Sequence, residues 1–384
     1  MKLAVLVVNY DSGAHAVACV RSVLREAQAS GLSTPTVVVV DCASPSDQSA
    51  AWQHLRTLGA QVVCSPTNLG YAGGMQLAAA QASHADAYLI LNPDVVFAPG
   101  SLGYLLETLA AHPTAVVAPR CSLDEEGSLY LPPVLLPTPS SVIWDAYSAV
   151  DVATARQRSL AQRATRAAAW SARDTYRAEM LSGACLLVRH DTVTRLGVLL
   201  DACFPLYYED ADLCKRAAGK GVPLYMEPRA RVAHRWSRSA GHGERFAGEP
   251  LRRLRVSRRL YLQRHHGWIG ACADGLAAAL ESHAIDIAIH ACHDLGICHE
   301  PPDLSHTLDT PVLWELSVTG GFGLCGGRVL GPHEPVFSPE AWSWLPQGRY
   351  WSRFSTLAEG RVFQACTWHK ADHSVEPLLP TSAA

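Results

Sequence analysis

The sequence predicts an α/β protein: an open, mostly parallel sheet with helices on both faces, followed by helices and a small C-terminal β region. Three observations carry this expectation. Continuous β-branched runs recur through the first half, as in strands covered on both faces. Stretches with apolar residues at helical spacing separate them, which is the βαβ rhythm of a doubly wound sheet. Beyond about residue 311 the texture changes to alternation with paired glycines, the mark of antiparallel hairpins.

Leu3–Val8 and Val37–Val40 are the first two strands. Between them, 14–29 is Ala-rich and spaces Val17, Val20, Val23 and Leu24 as a helix does. A helix near 49–58, a strand at Gln61–Cys64, a helix at about 75–83 and a strand at Ala87–Leu91 continue the alternation. A Pro- and Ser-rich break at 132–141 leads into a polar, Arg- and Ala-rich helical stretch at about 148–178, and 181–189 reads as a strand returning to the sheet. Residues 250–266 form an Arg-rich helix, and 270–295 a second, Ala-rich one. From about 311, Val312, Trp314, Leu316 and Val318 alternate with Leu313, Glu315 and Ser317. Gly320-Gly321 and Gly326-Gly327 mark turns there. Trp342, Trp344, Tyr350, Trp351 and Trp368 add aromatic bulk that serves either as core or as a stacking surface. The expected domains are 1–268, a helical extension 269–299 and a small β-rich accessory domain 300–384.

With 384 residues, 48% apolar and 17% charged, the chain can bury a core and is not disordered. A net charge of −3 gives no reason to expect nucleic acid as a partner. The 12 cysteines are scattered without a CxxC pair, so they read as reduced thiols of a cytoplasmic protein. The apolar run at Leu3–Val8 is too short for a signal peptide. The longest apolar stretch, around 275–292, is interrupted by Glu281, His283, Asp286 and His290. The expectation is a soluble protein, attached at most to the inner face of the membrane. His290, Cys292, His293, Cys298 and His299 match no common zinc spacing.

Ligands of doubly wound sheets sit at the carboxyl ends of the strands, so the polar residues that follow the strands are the ones to inspect. Asp41 ends the second strand; it reads either as an acceptor for a ribose or base N–H or as a helix N-cap. Asn68-Leu69-Gly70-Tyr71-Ala72-Gly73-Gly74 precedes a helix, where glycines let the backbone approach a phosphate. Asn92-Pro93-Asp94 follows another strand and suits a hard divalent cation, or else an ordinary Asx turn. Tyr207-Tyr208-Glu209-Asp210-Ala211-Asp212, with His234 downstream, crowds three acids beside two tyrosines. That cluster is either a general base with a raised pKa or a solvated helix start.

The ordered motifs VVNY, VVVVD, NLGYAGG, LNPD, SGACLLV, YYEDADLC and VAH resemble those of the family 2 inverting glycosyltransferases with a GT-A fold, especially the bacterial rhamnosyltransferase-like branch. The resemblance runs from Lys2 to about Trp268. It implies a sugar transferred from a nucleoside-diphosphate donor to a glycan or lipid-linked glycan acceptor, with Mn²⁺ or Mg²⁺ as cofactor. It also implies roles for residues. Tyr10 would hold the base and Asp41 the nucleoside. Asn68 and Gly70 would form the donor loop, and Asn92, Ser182 and Gly183 would line the sugar–diphosphate pocket. Asp94 and His234 would bind the cation. Asp210 would be the catalytic base, with Glu209 beside it shaping the acceptor site. Cys42 stands where the family commonly has Asn, and Asn92 replaces the first acid of its Asp-x-Asp motif.

The arginines Arg252, Arg253, Arg255, Arg258, Arg259 and Arg264 offer a peripheral contact with anionic lipid, a solvated face, or a phosphate-facing helix. Residues 300–384 are expected to present the acceptor or to make a homodimer contact. A sugar-phosphate nucleotidyltransferase is the rival enzyme, but its Gly-rich loop ending in a basic residue is replaced here by Asn9-Tyr10-Asp11-Ser12-Gly13. A glycan-binding or scaffold protein with a decayed site is the rival from another class, and Asp94, Asp210 and His234 together argue against it.

Overall fold

The computed structural model describes residues 1–235, 249–306 and 308–371, which form two compact units. The first comprises Met1–Glu125, Val134–Ser141 and Ala172–Gly275; the second Glu126–Pro133, Val142–Ser171 and the chain from Leu276 on.

The first unit carries the α/β architecture expected. Strands β1 (Leu3–Asn9), β2 (Thr36–Asp41), β3 (Gln61–Cys64) and β4 (Ala87–Leu91) alternate with helices α1 (Gly13–Ala29), α2 (Ser49–Thr57) and α3 (Gly70–Gln81). The four strands run parallel in the order β3-β2-β1-β4. β1 is buried along its whole length, as a strand covered on both faces must be. Successive side chains point to opposite faces, so one strand feeds two cores. Leu3, Val5 and Val7 pack with Val17, Val20 and Val23 of α1; Ala4, Leu6 and Val8 pack with Ala72, Met75 and Ala78 of α3.

Past β4 the sheet becomes mixed. β5 (Val95–Phe97), α4 (Ser101–Ala111), β6 (Val116–Ser122), α5 (Pro139–Tyr147), α6 (Val152–Ser171), β7 (Tyr176–Arg177), β8 (Cys185–Arg189), α7 (His190–Leu196), α8 (Glu209–Gly219) and β9 (Leu224–His234) follow in the chain. β8 lies antiparallel between β4 and β6, and β9 runs parallel to β6 with β5 and β7 antiparallel to it. The sequence pattern concealed β9, because Glu227, Pro228 and Arg229 interrupt it where the register with β6 shifts.

Helix α9 (Glu249–Glu281) spans both expected helices, broken by non-helical backbone at Gly267. It stops at Glu281, not near 295. Ile287 and Ile289 then pack with Phe322 and Trp351, and the chain becomes strand β10 (His293–Cys298). The expected helical extension 269–299 therefore ends in a strand.

The second unit holds β10, β11 (Val312–Ser317), β12 (Cys325–Leu330), α10 (Pro339–Trp344), β13 (Gly348–Thr356) and β14 (Val362–Lys370). Its sheet has the order β10-β14-β13-β11-β12, antiparallel except that β10 joins β14 in parallel. A boundary at 300 would separate these two paired strands. Helix α6 also belongs to this unit, through Arg166 donating from Nε to Glu315 at 2.6 Å and Arg163 donating to Ser355 at 3.0 Å. Trp314, Trp342, Trp351 and Trp368 are buried, which makes them core. Residues 372–384 of the expected accessory domain lie outside the described residues.

Candidate active site

The parallel register brings the first cluster together. Asn9 and Asp41 are paired positions at the carboxyl ends of β1 and β2. The Asp41 carboxylate accepts from Asn9 Nδ2 at 3.0 Å, from Ser44 Oγ at 2.5 Å and from the Ser44 amide at 3.2 Å. The next helix begins only at Ser49, so Asp41 organises the loop after β2 and is not a helix cap. Asn9 and Ser44, which the motif reading passed over, hold this carboxylate in place. Tyr10 beside it is 36% exposed. Cys42 is buried beneath α3 among Val8 and Ala72, so it packs into the core.

Asn68 spends its side-chain oxygen on the Gly70 amide at 2.9 Å. Gly70 has φ +68, in the left-handed region that favours glycine. The turn starts α3 one residue before Tyr71, whose hydroxyl donates to the carbonyl of Gly183 at 2.8 Å.

The second cluster follows from strand pairing as well. Val95, the first residue of β5, pairs with His234, the last of β9. Asp94 and His234 are therefore neighbours, with Nε2 3.4 Å from Oδ1, and both are buried. The Asn92 amide group lies 3.1 Å from the same His234 nitrogen. Among the described residues no set of three or more His, Cys, Asp or Glu side chains converges as a closed cage. One carboxylate, one imidazole and one amide fit a cation that takes its remaining ligands from a bound substrate and water.

The third cluster starts α8. Tyr207 and Tyr208 are both left-handed, with φ 60 and 67, a strained pair that turns the chain into the helix. The acids that follow are not a solvated helix start. Glu209 is buried, and Asp212 is fully buried. Asp212 is tied up by Arg216 Nε at 2.7 Å, His265 Nε2 at 2.8 Å and Arg264 Nη1 at 3.3 Å, so it anchors α8 to α9 and takes no part in the site. Asp210 instead accepts from the Gly183 amide at 3.1 Å and from the Ala211 amide at 2.8 Å. Burial pushes its pKa up, against those amide hydrogen bonds. Burial, then the charge of Asp210, pushes Glu209 up to about 8. Glu209 Oε2 is buried without a hydrogen-bond partner. Both carboxyls are thus harder to ionise than in water, Glu209 the more so because it lacks the amide donors that Asp210 has.

Ser182, Gly183 and Ala184 connect the second and third clusters. The Asn92 amide donates to the Ala184 carbonyl at 2.8 Å, while the Gly183 amide holds Asp210. A Cβ on Gly183 would stand 3.2 Å from Asp210 Cβ, so this close approach needs glycine. Ser182 Oγ accepts weakly from the Ala184 amide at 3.4 Å.

Residues 2–255 match the family model described as glycosyltransferase like family 2. The chain belongs to glycosyltransferase family 2. Two curated relatives, the N-acetylglucosaminyl-diphospho-decaprenol L-rhamnosyltransferases of Mycobacterium tuberculosis strains CDC 1551 / Oshkosh and H37Rv, are each 28% identical over 189 residues. The match covers 48% of this chain and 57% of each relative, so it spans little more than half of their length. Among solved structures, GalNAc-T7 with UDP, GalNAc and Mn²⁺ matches at TM-score 0.47 and 14% identity, covering 73% of this chain and 54% of that one. Staphylococcus aureus TarS 1–349 with UDP-GlcNAc matches at TM-score 0.43 and 13% identity, covering 73% and 71%. No helix among the described residues is long and apolar enough to cross a membrane.

Of the arginines on α9, Arg258 pairs with Asp274 at 2.7 Å and Arg264 with Asp201 at 2.6 Å, so these two brace the fold. Arg252, Arg255 and Arg259 are exposed.

Proposed function

We propose that this protein is an inverting glycosyltransferase that moves a sugar, L-rhamnose by analogy with its relatives, from a nucleoside-diphosphate donor to a hydroxyl of a lipid-linked glycan. The observation that carries the reading is the Ser182–Ala184 segment. It ties the Asn92–Asp94 turn to the Asp210 carboxylate through two hydrogen bonds of its backbone: the Ala184 carbonyl accepts from the Asn92 backbone N–H at 2.8 Å, and the Gly183 N–H donates to Asp210 at 3.1 Å. A leaving-group site and a base site at one junction are what a single displacement at a sugar carbon requires.

In this reading Asp41, held by Asn9 and Ser44, receives the nucleoside beside Tyr10, and the loop from Asn68 to Gly70 faces the diphosphate. Asp94 and His234, with Asn92, would hold Mn²⁺ or Mg²⁺, and the cation would supply charge neutralisation for the departing diphosphate. Asp210 takes the proton of the acceptor hydroxyl as that oxygen bonds to the anomeric carbon from the face opposite the leaving group. The bond to the diphosphate breaks in the same step, so the configuration inverts. Glu209, neutral near pH 7, can donate a hydrogen bond to an acceptor oxygen. The lipid-linked acceptor rests on analogy with the two N-acetylglucosaminyl-diphospho-decaprenol L-rhamnosyltransferases and on α9, where Trp268 and Ile269 are 77% and 52% exposed just past Gly267.

The test is a thermal-shift panel of nucleoside-diphosphate sugars, run with Mn²⁺ and with EDTA, followed by donor hydrolysis. A ligand that binds only the folded state raises Tm, by an amount worth about 2.7 kcal/mol at 100 times Kd. One donor should give a Mn²⁺-dependent shift that Asp94→Ala and His234→Ala lose. Binding and full turnover in EDTA, or in those variants, would refute the cation site. Mn²⁺-dependent hydrolysis separates an active transferase from a glycan-binding protein with a decayed site.

A further inference from the structure

Tyr71 lies in the first turn of α3, within the segment read as the donor loop, yet its hydroxyl is bonded elsewhere. It donates to the Gly183 carbonyl at 2.8 Å, and the amide of that same Gly183 donates to Asp210 Oδ2 at 3.1 Å. Nothing intervenes between Gly183 and the carboxylate, since even a methyl group on Gly183 would press on Asp210 Cβ at 3.2 Å. The adjoining Ala184 carbonyl is fixed by the Asn92 amide. Residues 183 and 184 are therefore held from three sides: by α3, by the turn before β5, and by the start of α8. Removing one hold frees a residue that, as glycine, has the widest choice of backbone angles.

We propose that Tyr71 is a positioning residue for Asp210: by holding the Gly183 carbonyl it keeps the Gly183 amide aimed at the Asp210 carboxylate. This rests on the reading of Asp210 as the base. Burial, with the charges of Glu209, Asp210, Cys185 and Asp94 around it, holds the Tyr71 phenol protonated well above its ordinary range. Tyr71 is thus a hydrogen-bond donor throughout the working pH range. Glu209, Tyr71, Cys214 and Tyr261 lie within electrostatic reach of Asp210. Of the polar contacts that favour its charged form, the Gly183 amide is the first. Loosening that amide lets burial act with less opposition, and the base becomes harder to ionise.

The test uses the full chain labelled with ¹⁵N-glycine, following the Gly183 amide resonance against pH. Gly183→Ala identifies the resonance, and Asp210→Asn should flatten its titration. Tyr71→Phe removes one hydroxyl and should raise the titration midpoint. 3-Fluorotyrosine at position 71, a stronger donor of the same shape, should lower it, and it decides the matter if Tyr71→Phe does not fold. An unchanged midpoint in the folded variants overturns the proposal. On the donor selected by the thermal-shift panel, Tyr71→Phe should lower kcat by roughly tenfold with KM unchanged, and should move the acid limb of the pH profile upward. A raised KM with an unmoved acid limb also overturns it. If the wild-type protein turns over no donor, the proposed function fails, while the Gly183 titration still judges Tyr71.

Discussion

Replacing Glu315 with Gln tests the physical account of the second unit at its least forgiving point. Glu315 is fully buried on β11 and accepts from Arg166 Nε at 2.6 Å and from Arg353 Nε at 2.7 Å. Arg163, Arg166 and Arg353 are 8%, 3% and 1% exposed. Burial works to raise the Glu315 pKa, but Arg353 and Arg166 more than offset it and hold the carboxyl below its ordinary range. Arg353 also donates toward His290 at 3.0 Å, and burial plus the Arg353 charge pushes His290 down to about 4, so the imidazole adds no positive charge at neutral pH. Gln has the shape of Glu, so no cavity opens; the change is the loss of one negative charge among three buried guanidinium groups. Breaking a buried pair by removing one partner costs about 3–5 kcal/mol. At roughly 2–4 °C per kcal/mol for a unit of this size, Tm should fall on the order of 10 °C. Near-UV circular dichroism on wild-type and Glu315→Gln protein at pH 7 measures this. The sign of the pH dependence is also determined. A carboxyl with a depressed folded pKa contributes stability above its unfolded value and loses it as pH falls through the folded value. The gap between the two proteins should therefore narrow in acid. A Tm loss below ~2 °C at pH 7 would mean that the guanidinium groups do not depend on Glu315.

Glu209 and Asp210 of α8 should behave differently from one another. Asp210→Asn should keep donor binding and lose transfer by a factor of roughly 10² or more, whereas Glu209→Gln should retain transfer but lose any activity limb near pH 8. The reverse pattern in pH–rate profiles would exchange their roles. The exposed apolar pair just past the break in α9 predicts lipid binding: Trp268→Ala with Ile269→Ser should weaken sedimentation with phosphatidylglycerol vesicles on the order of 10²-fold, from about 1.5 kcal/mol per large apolar side chain withdrawn. Equal sedimentation of both proteins would remove α9 from any membrane role.

The parallel half of the large sheet was legible because β1, β2 and β4 are covered on both faces and must be apolar throughout. The mixed half was less so. β9 carries charged residues and a proline at its register shift, and β5 is only Val95–Phe97, too short to announce itself. In the site, acids at the ends of strands were conspicuous as residue types. Asn9, Ser44 and Tyr71 were not, because an amide, a hydroxyl and a phenol in a motif carry no signal of what they hold. The links across residue 300 were hidden for a similar reason: β10 pairs with β14, residues far apart in the chain, and α6 reaches Glu315 with a side chain 149 positions away.

By itself, the sequence determined the family, the alternation of strands and helices, and the short list of acids and histidine around which the site is built. These depend on local periodicity and on motif order, both of which are linear properties. Only the tertiary structure decided what each acid meets. Asp212, two residues from Asp210, is buried against Arg216, Arg264 and His265, while Asp210 meets the Gly183 amide and Glu209 loses its solvent. Neighbours in a helix turn point in different directions, and the groups that Asp210 and Asp212 meet come from distant segments. The three different surroundings of these acids therefore exist only once α3, the Ser182–Ala184 segment, α8 and α9 are packed together.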